Sequence, residues 1–162
     1  MLIASGEART RAWLEGIKAN DPRTYPSNDL IVKAANDGQV DLGLVNHYYL
    51  FQLQSEIGAD KVVARNHYTA GTDPGALVNV AGVGILKSGK HQADATRLVE
   101  YLLSEPTQRH FTERNFEYPL RPGVPTAAGL PPLQPTQGPP INLGDLADLN
   151  HTLDLLRSTG LL

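Results

Sequence analysis

The sequence predicts an α/β fold. Three observations lead there. Val40-Asp41-Leu42-Gly43-Leu44-Val45 is alternating and then continuous in apolar residues, which reads as a short buried strand ending at Asn46. Two further stretches, Val62 to Tyr68 and Ala76 to Leu86, have the same extended character. Between and after them come segments with apolar residues at helical spacing, the clearest being Gln92 to Leu103 with Ala95, Leu98, Val99 and Leu102 on one face. Strands alternating with helices of this length imply layers of both kinds.

Taken in order, Glu7 to Ala19 is a helix with Ala8, Ala12, Leu14 and Ile17 spaced for a buried face and Trp13 at its edge. Asn20-Asp21-Pro22 ends it, since Pro22 cannot continue a helix. The Tyr25-Pro26 step is extended. Asn28 then caps a helix from Asp29 to Asn36, and Gly38 supplies its left-handed stop. The Val40–Val45 strand passes through Asn46, a second cap, into a helix from Tyr48 to Leu53. Gly58-Ala59-Asp60 and Asp73-Pro74-Gly75 are turns flanking the Val62–Tyr68 strand. In the Ala76–Leu86 strand, Gly82 and Gly84 allow close backbone approach; they form neither a dinucleotide fingerprint nor a phosphate loop. Pro106 begins a helix reaching about Arg114, and Phe116 to Leu120 is a short extended piece. Arg121 to Ile141 holds seven of the twelve prolines and reads as an irregular surface strap. Asp145 to Ser158 closes the chain as a helix, with Leu146, Leu149, Leu153 and Leu156 toward a core and Gly160 as its stop.

The strand-to-helix junction at Asn46-His47-Tyr48-Tyr49 carries the chemistry. In open α/β sheets, ligands bind where strands end and the next helices begin. Both tyrosines lie in a first helical turn, where the partial positive charge of the helix start favours phenolate and an accompanying anion. Free phenols titrate near pH ~10, so at neutral pH they become strong ligands when a hard, highly charged cation displaces their protons. Paired tyrosines at a helix start also serve as ordinary packing, and His47, about 100° around the helix from Tyr48, is placed behind the pair or in solvent.

Asn46-His47-Tyr48-Tyr49, following Gly38-Gln39-Val40-Asp41-Leu42-Gly43, resembles the tyrosine-pair motif of bacterial ferric-ion-binding proteins, the solute-binding components of iron(III) ABC importers. The likeness extends over roughly residues 6 to 120, through Gly75-Ala76-Leu77-Val78-Asn79-Val80-Ala81-Gly82-Val83-Gly84 and Asn115-Phe116-Glu117-Tyr118-Pro119. It implies a two-lobed, type II periplasmic-binding-protein-like fold, of which the chain carries elements of both lobes. It also implies that Tyr48 and Tyr49 bind Fe³⁺ as phenolates while Asn46 contacts a synergistic anion such as phosphate or carbonate. The family places a second anion-contacting asparagine eighteen residues earlier, and that position here is Asn28. Asn28 has an independent use as a plain helix cap. By the same resemblance, 1–61 is a ligand-lobe segment, 62–120 a hinge strand with return-lobe elements, 121–141 the strap and 142–162 the terminal helix. Arg65-Asn66-His67 would lie near the hinge, which makes His67 the first histidine to test as a ligand. The family's other metal ligands, a histidine and a carboxylate, and its serine-glycine anion loop lie upstream of any position present here. The resemblance therefore implies the C-terminal half of a longer protein with an incomplete site, working with an importer permease outside the cytoplasm. Met1-Leu2-Ile3-Ala4-Ser5 does not look like a secretory signal.

With 162 residues, 41% hydrophobic and 19% charged, the composition is that of an ordinary globular domain. A net charge of −3 argues against nucleic acid as a partner, and no apolar run is long enough for membrane insertion. Without cysteine there is neither a disulfide nor a thiolate site. No serine, histidine and acid are spaced as a nucleophile motif, so an enzyme is not expected. Two other readings stay open: a binding protein for another anion or organic ligand, and an assembly module without transport, in which half a two-lobed fold covers its apolar faces as a homodimer or with a complementary N-terminal half.

Overall fold

The structure, a computed structural model, describes residues 1–69, 71–133 and 138–162. The chain forms two compact units: Met1–Tyr25, His67–Asn79 and Gln134–Leu162 make the first, Pro26–Asn66 and Val80–Leu133 the second. Part of the expected strap, at 134–137, lies outside the described residues.

In the first unit, α1 runs from Leu2 to Ala19, with a break at Gly6 (φ 75°, ψ 166°) that leaves the expected helix start at Glu7 intact. Its buried side chains are Thr10 and Leu14. Ala8 and Ala12 are exposed and Trp13 is 42% exposed, so the inward stripe is narrower and rotated from the expected one. Thr10 tolerates burial because its hydroxyl donates to the Gly6 carbonyl at 2.8 Å. The last helix, α6, spans Leu149–Ser158 and follows a 3₁₀ turn at Leu143–Ala147, so the expected Asp145–Ser158 helix is split at Asp148. Asp148 accepts the His151 amide at 3.0 Å, a side-chain cap in place of the missing turn above it. Leu155 is the buried residue of α6; Leu153 and Leu156 are half-buried, while Leu146 and Leu149 stay exposed, contrary to the expected face. Helices α1 and α6 pack together, fastened by Arg11 donating to Ser158 at 2.9 Å and by His151 against Glu7 at 3.1 Å. The Asp73-Pro74-Gly75 turn forms as expected, with Asp73 accepting the Gly75 amide at 2.7 Å.

The second unit is built on α2 (Asn28–Asn36) and α3 (Tyr48–Ile57), which pack on each other. Val32 from α2, Leu50 and Leu53 from α3, and Val62 form its apolar core, with Val45, Tyr49 and Ala64 packed against it. Gly38 takes the left-handed conformation (φ 69°) that stops α2, and Gln39 returns its amide to the Ala34 carbonyl. At Gly43 a side chain would collide with Ile31, so the chain crosses close over α2 only because this residue is glycine. Helix α4 (Gln92–Leu102) forms at the expected place but buries no residue, and its Leu98 is 56% exposed. Helix α5 (Glu105–His110) continues into a π-helical turn, Phe111–Asn115.

The strands do not form among the described residues. Val40–Val45, Val62–Tyr68, Ala76–Leu86 and Phe116–Leu120 carry no regular secondary structure beyond a 3₁₀ turn at Pro74–Ala76. Leu42 is 74% exposed and Leu44 64%, so the expected buried strand is not buried, and at Gly82 and Gly84 nothing lies close by. The reason is the pairing rule: an extended segment becomes a strand through ladder bonds to a neighbour. Here the amides of Val63 and Ala64 are taken up by the side chain of Asn36, at 2.8 and 3.3 Å, instead of by another strand.

The proline-rich strap is more than a surface feature where it is described, because Val124 and Leu130 are buried. Two buried polar side chains hold the returning chain. Gln108 donates to the Leu102 carbonyl at 2.9 Å and accepts the Leu120 amide at 2.7 Å; Thr112, 1% exposed, accepts the Ala127 amide at 2.8 Å. Each substitutes for the backbone partner that an irregular segment lacks. A Thr112→Val substitution keeps the shape and strands that amide, so it should cost about 1–3 kcal/mol in urea unfolding. Leu53→Ala, which empties part of the second unit's core, should cost about 2–5 kcal/mol by the same measurement.

Candidate metal centre

The first turn of α3 brings three of the four expected site residues together. Tyr48 and Tyr49 are its first two residues and both are half-buried, their rings 4.6 Å apart and tilted by 38°. Tyr49 is packed against the Val32–Leu50–Leu53–Val62 core, and its phenol is near enough to hold the Tyr48 proton more tightly. Asn46 is exposed, and its Nδ2 donates to the Tyr48 hydroxyl at 3.1 Å. This differs from the expected cap: the Asn46 carbonyl accepts the Tyr49 amide at 3.3 Å, His47 already has helical dihedrals, and the Asn46 side chain serves a phenol instead of an amide.

Asn28 is the first residue of α2, one place inside the helix, because Ser27 (φ −154°) occupies the capping position. Its side chain is half-buried and makes no hydrogen bond to the tyrosine turn among the described residues. The next residue, Asp29, keeps its carboxyl below the usual range chiefly through a hydrogen bond with Ser27.

The electrostatics of the pair are specific. Tyr48 is held above the ordinary phenol range, first by burial and then by the hydrogen bond from Tyr49; the Asn46 amide pulls the other way, and the charges of Tyr49 and Glu117 oppose ionisation further. Tyr48 therefore resists losing its proton on its own. A trivalent cation between the two phenols reverses that sign, since each negative oxygen then becomes an attraction. Phenolate oxygen is a hard donor, suited to hard cations.

Around the turn lie further residues. His47 is half-buried beside Tyr48: its Nε2 lies 2.8 Å from the Phe116 carbonyl oxygen and its ring 5.3 Å from Tyr118 and 5.5 Å from Tyr48. Asn66 donates to the His47 carbonyl at 2.9 Å. Phe116 stacks on Phe51 at 5.3 Å. The signal for this neighbourhood was Asn115-Phe116-Glu117-Tyr118-Pro119, a segment that periodicity marks only as extended. His67 is exposed and belongs to the first unit. Among the described residues no three histidine, aspartate or glutamate side chains converge as a metal site, so oxygen donors of the tyrosine turn are the metal-binding chemistry on offer.

The raised Tyr48 has a measurable consequence in metal-free protein. It should ionise after the exposed tyrosines, above pH ~10. The folded state holds this proton more tightly than the unfolded chain does, so stability falls as pH rises between the unfolded and folded values. Ultraviolet titration at the phenolate band, with Tyr48→Phe to assign the step, checks this; Asn46→Ala should move the step further upward.

Residues 1–144 match the family described as bacterial extracellular solute-binding protein. The chain is 32% identical over 156 residues to the major ferric iron-binding protein of Neisseria meningitidis serogroup B, covering 96% of this chain and 47% of that protein. It is 34% identical over 165 residues to the Fe(3+)-binding periplasmic protein of Serratia marcescens, covering 100% of this chain and 48% of that one. Against iron uptake protein A1 of a Synechocystis strain it is 37% identical over 130 residues, 77% of this chain and 36% of that protein. The chain thus spans about half the length, or less, of these curated relatives. With nearly nine-tenths of its residues inside the family match, the chain belongs to the bacterial extracellular solute-binding proteins.

Proposed function

We propose that this chain carries the tyrosine side of a ferric-iron site in the solute-binding component of an iron(III) ABC importer. The observation that carries the reading is the placement of the Tyr48 and Tyr49 rings 4.6 Å apart, with Asn46 bonded to the Tyr48 hydroxyl, at the start of α3. Fe³⁺ is the cargo. It displaces both phenolic protons, and the helix start and the Asn46 amide favour the resulting negative oxygens. A synergistic anion completes part of the shell, with Asn46 and Asn28 as its contacts, each at a helix start. The names of the relatives, two of them ferric-binding and one an iron uptake protein, support iron over another oxyanion or organic ligand.

The same reading takes the extended segments 40–45, 62–68 and 76–86 as strands of a two-lobed α/β fold whose ladder partners belong to the part of the relatives that this chain does not span. Segment 1–61 then belongs to the ligand lobe, 62–120 to the hinge and return lobe, and 121–141 and 142–162 to the strap and closing helix. Binding and release, with no bond made or broken in a substrate, is the chain's task. Its partner is an importer permease, and its place is outside the cytoplasm; no helix among the described residues is long and apolar enough to cross a membrane. Two phenolates and an anion leave coordination positions to water, so the chain by itself binds iron weakly.

Titration with a ferric chelate tests this, read by the visible phenolate-to-iron charge-transfer band. The expected outcome is a weak band in the wild-type chain that disappears in the Tyr48→Phe, Tyr49→Phe double variant. A wild-type chain without the band, or a double variant that keeps it, would contradict the proposal.

A second reading is favoured by one observation, the exposure of the large apolar residues Leu42, Leu44, Val63, Val83 and Leu86, and it takes the chain as an assembly module that pairs with a second copy or a complementary N-terminal half. Gel filtration with and without iron separates the two, because an assembly module should associate to the same extent in both.

A further inference from the structure

His47, which the sequence places behind the tyrosine pair or in solvent, is bonded to chain segments far from it in sequence. Its Nε2 is 2.8 Å from the Phe116 carbonyl oxygen, and because a carbonyl only accepts, that nitrogen carries a hydrogen. The backbone oxygen of the same residue accepts from Asn66 at 2.9 Å. On one face the imidazole meets the Tyr118 ring at 5.3 Å, and on another it meets Tyr48 edge-on at 5.5 Å and 78°. The residue is therefore tied through side chain and main chain to two segments distant in sequence, 116–118 and 66.

The receiving end is itself over-determined. Phe116 adopts a left-handed conformation (φ 60°, ψ 31°), uncommon for a residue with a bulky side chain. It persists because its ring stacks on Phe51 one turn further along α3 and because its neighbour Tyr118 donates its hydroxyl to Pro131 at 2.7 Å. Strained backbone of this kind is retained where the surroundings require one orientation of a group, and here the group fixed is the Phe116 carbonyl that receives His47. The first turn of α3 lacks a conventional side-chain cap, so without this tether it is the part of the helix most free to fray.

Granting the ferric reading above, on which it rests, we infer that His47 is a positioning residue. It ties the first turn of α3 to the 116–118 segment, so that the Tyr48 and Tyr49 rings keep their side-by-side placement. It donates no electron pair to the metal; its Nε2 is already occupied by the bond to Phe116. Holding ligands by their outer partners is how metal sites keep geometry, and loss of such a partner typically lowers affinity by about 10- to 100-fold.

The test uses the full chain and ferric nitrilotriacetate, with His47→Leu, which removes the donor, and His47→Gln, whose amide can still reach a carbonyl. His47→Leu should weaken iron binding by about tenfold or more and shift or broaden the phenolate-to-iron band; His47→Gln should restore most of both. A variant that only destabilised the chain would lower the amount of bound iron but leave the band maximum in place, so the band position separates positioning from stability. If wild-type protein shows the band and His47→Leu matches it in affinity and position, the inference falls and the ferric reading stands. If wild-type protein shows no band, the ferric reading falls and this role falls with it. Nitrogen-15 spectra of the metal-free wild-type chain give an answer that needs neither iron nor a folded variant. They should show the Nε2-protonated tautomer, and a ring protonated at Nδ1 alone would overturn the tether.

Discussion

Everything at the tyrosine turn depends on where the Tyr49 ring is seated. Tyr49 is packed, half-buried, against the Val32, Leu50, Leu53 and Val62 core, with its ring 4.6 Å from that of Tyr48. A phenol anchored in this way has little freedom left in its two side-chain torsions, so it presents its oxygen without a large entropic cost on ligand binding. The consecutive residue, Tyr48, cannot reach the same core and is instead oriented by three weaker contacts: Asn46, the Tyr49 hydroxyl and the edge of His47. The core therefore fixes one phenol, and that phenol with its neighbours orients the other.

The electrostatic character of the turn follows from the same arrangement. Bringing two acidic groups and the Glu117 carboxylate together disfavours ionisation in the empty protein. The identical arrangement favours a trivalent cation, which is attracted by every charge that repels the others. Asn46 is the one nearby group that already favours the phenolate, since it points a donor at the Tyr48 oxygen. A site built this way is closed to protons leaving spontaneously and open to a cation strong enough to replace them.

The helices were legible because their spacing is set by residues within one turn of each other. Asn28–Asn36, Gln92–Leu102 and the stop at Gly38 lie where capping and periodicity put them, within a residue or two. Strands were legible only as extended backbone. Val40–Val45 has the apolar pattern of a strand, but pattern does not supply the neighbour that makes a ladder, and Leu42 and Leu44 remain in solvent. Buried faces were read only in part on α1 and α6: Leu14 is buried as expected, but Thr10 and Leu155 face inward while Ala8 and Leu149 stay exposed, because the choice among similar residues is made by the partner helix. At the site, Tyr48, Tyr49 and Asn46 were found by motif, and the structure joins them. His47 and the 116–118 segment were not, because their connection runs between residues 69 positions apart and leaves no local trace. Gln108 and Thr112 were missed for the same reason, as polar residues whose burial depends on backbone amides elsewhere in the chain.

The central claim is that both phenols of the α3 turn bind one ferric ion. Resonance Raman spectroscopy, excited within the visible band of the iron-loaded chain, reads this most directly, since only tyrosinate bound to the metal is enhanced. The account predicts enhanced tyrosinate ring modes that weaken in Tyr48→Phe, weaken in Tyr49→Phe and vanish when both are replaced. Spectra of the loaded wild-type chain without those modes, or modes indifferent to either substitution, would contradict it.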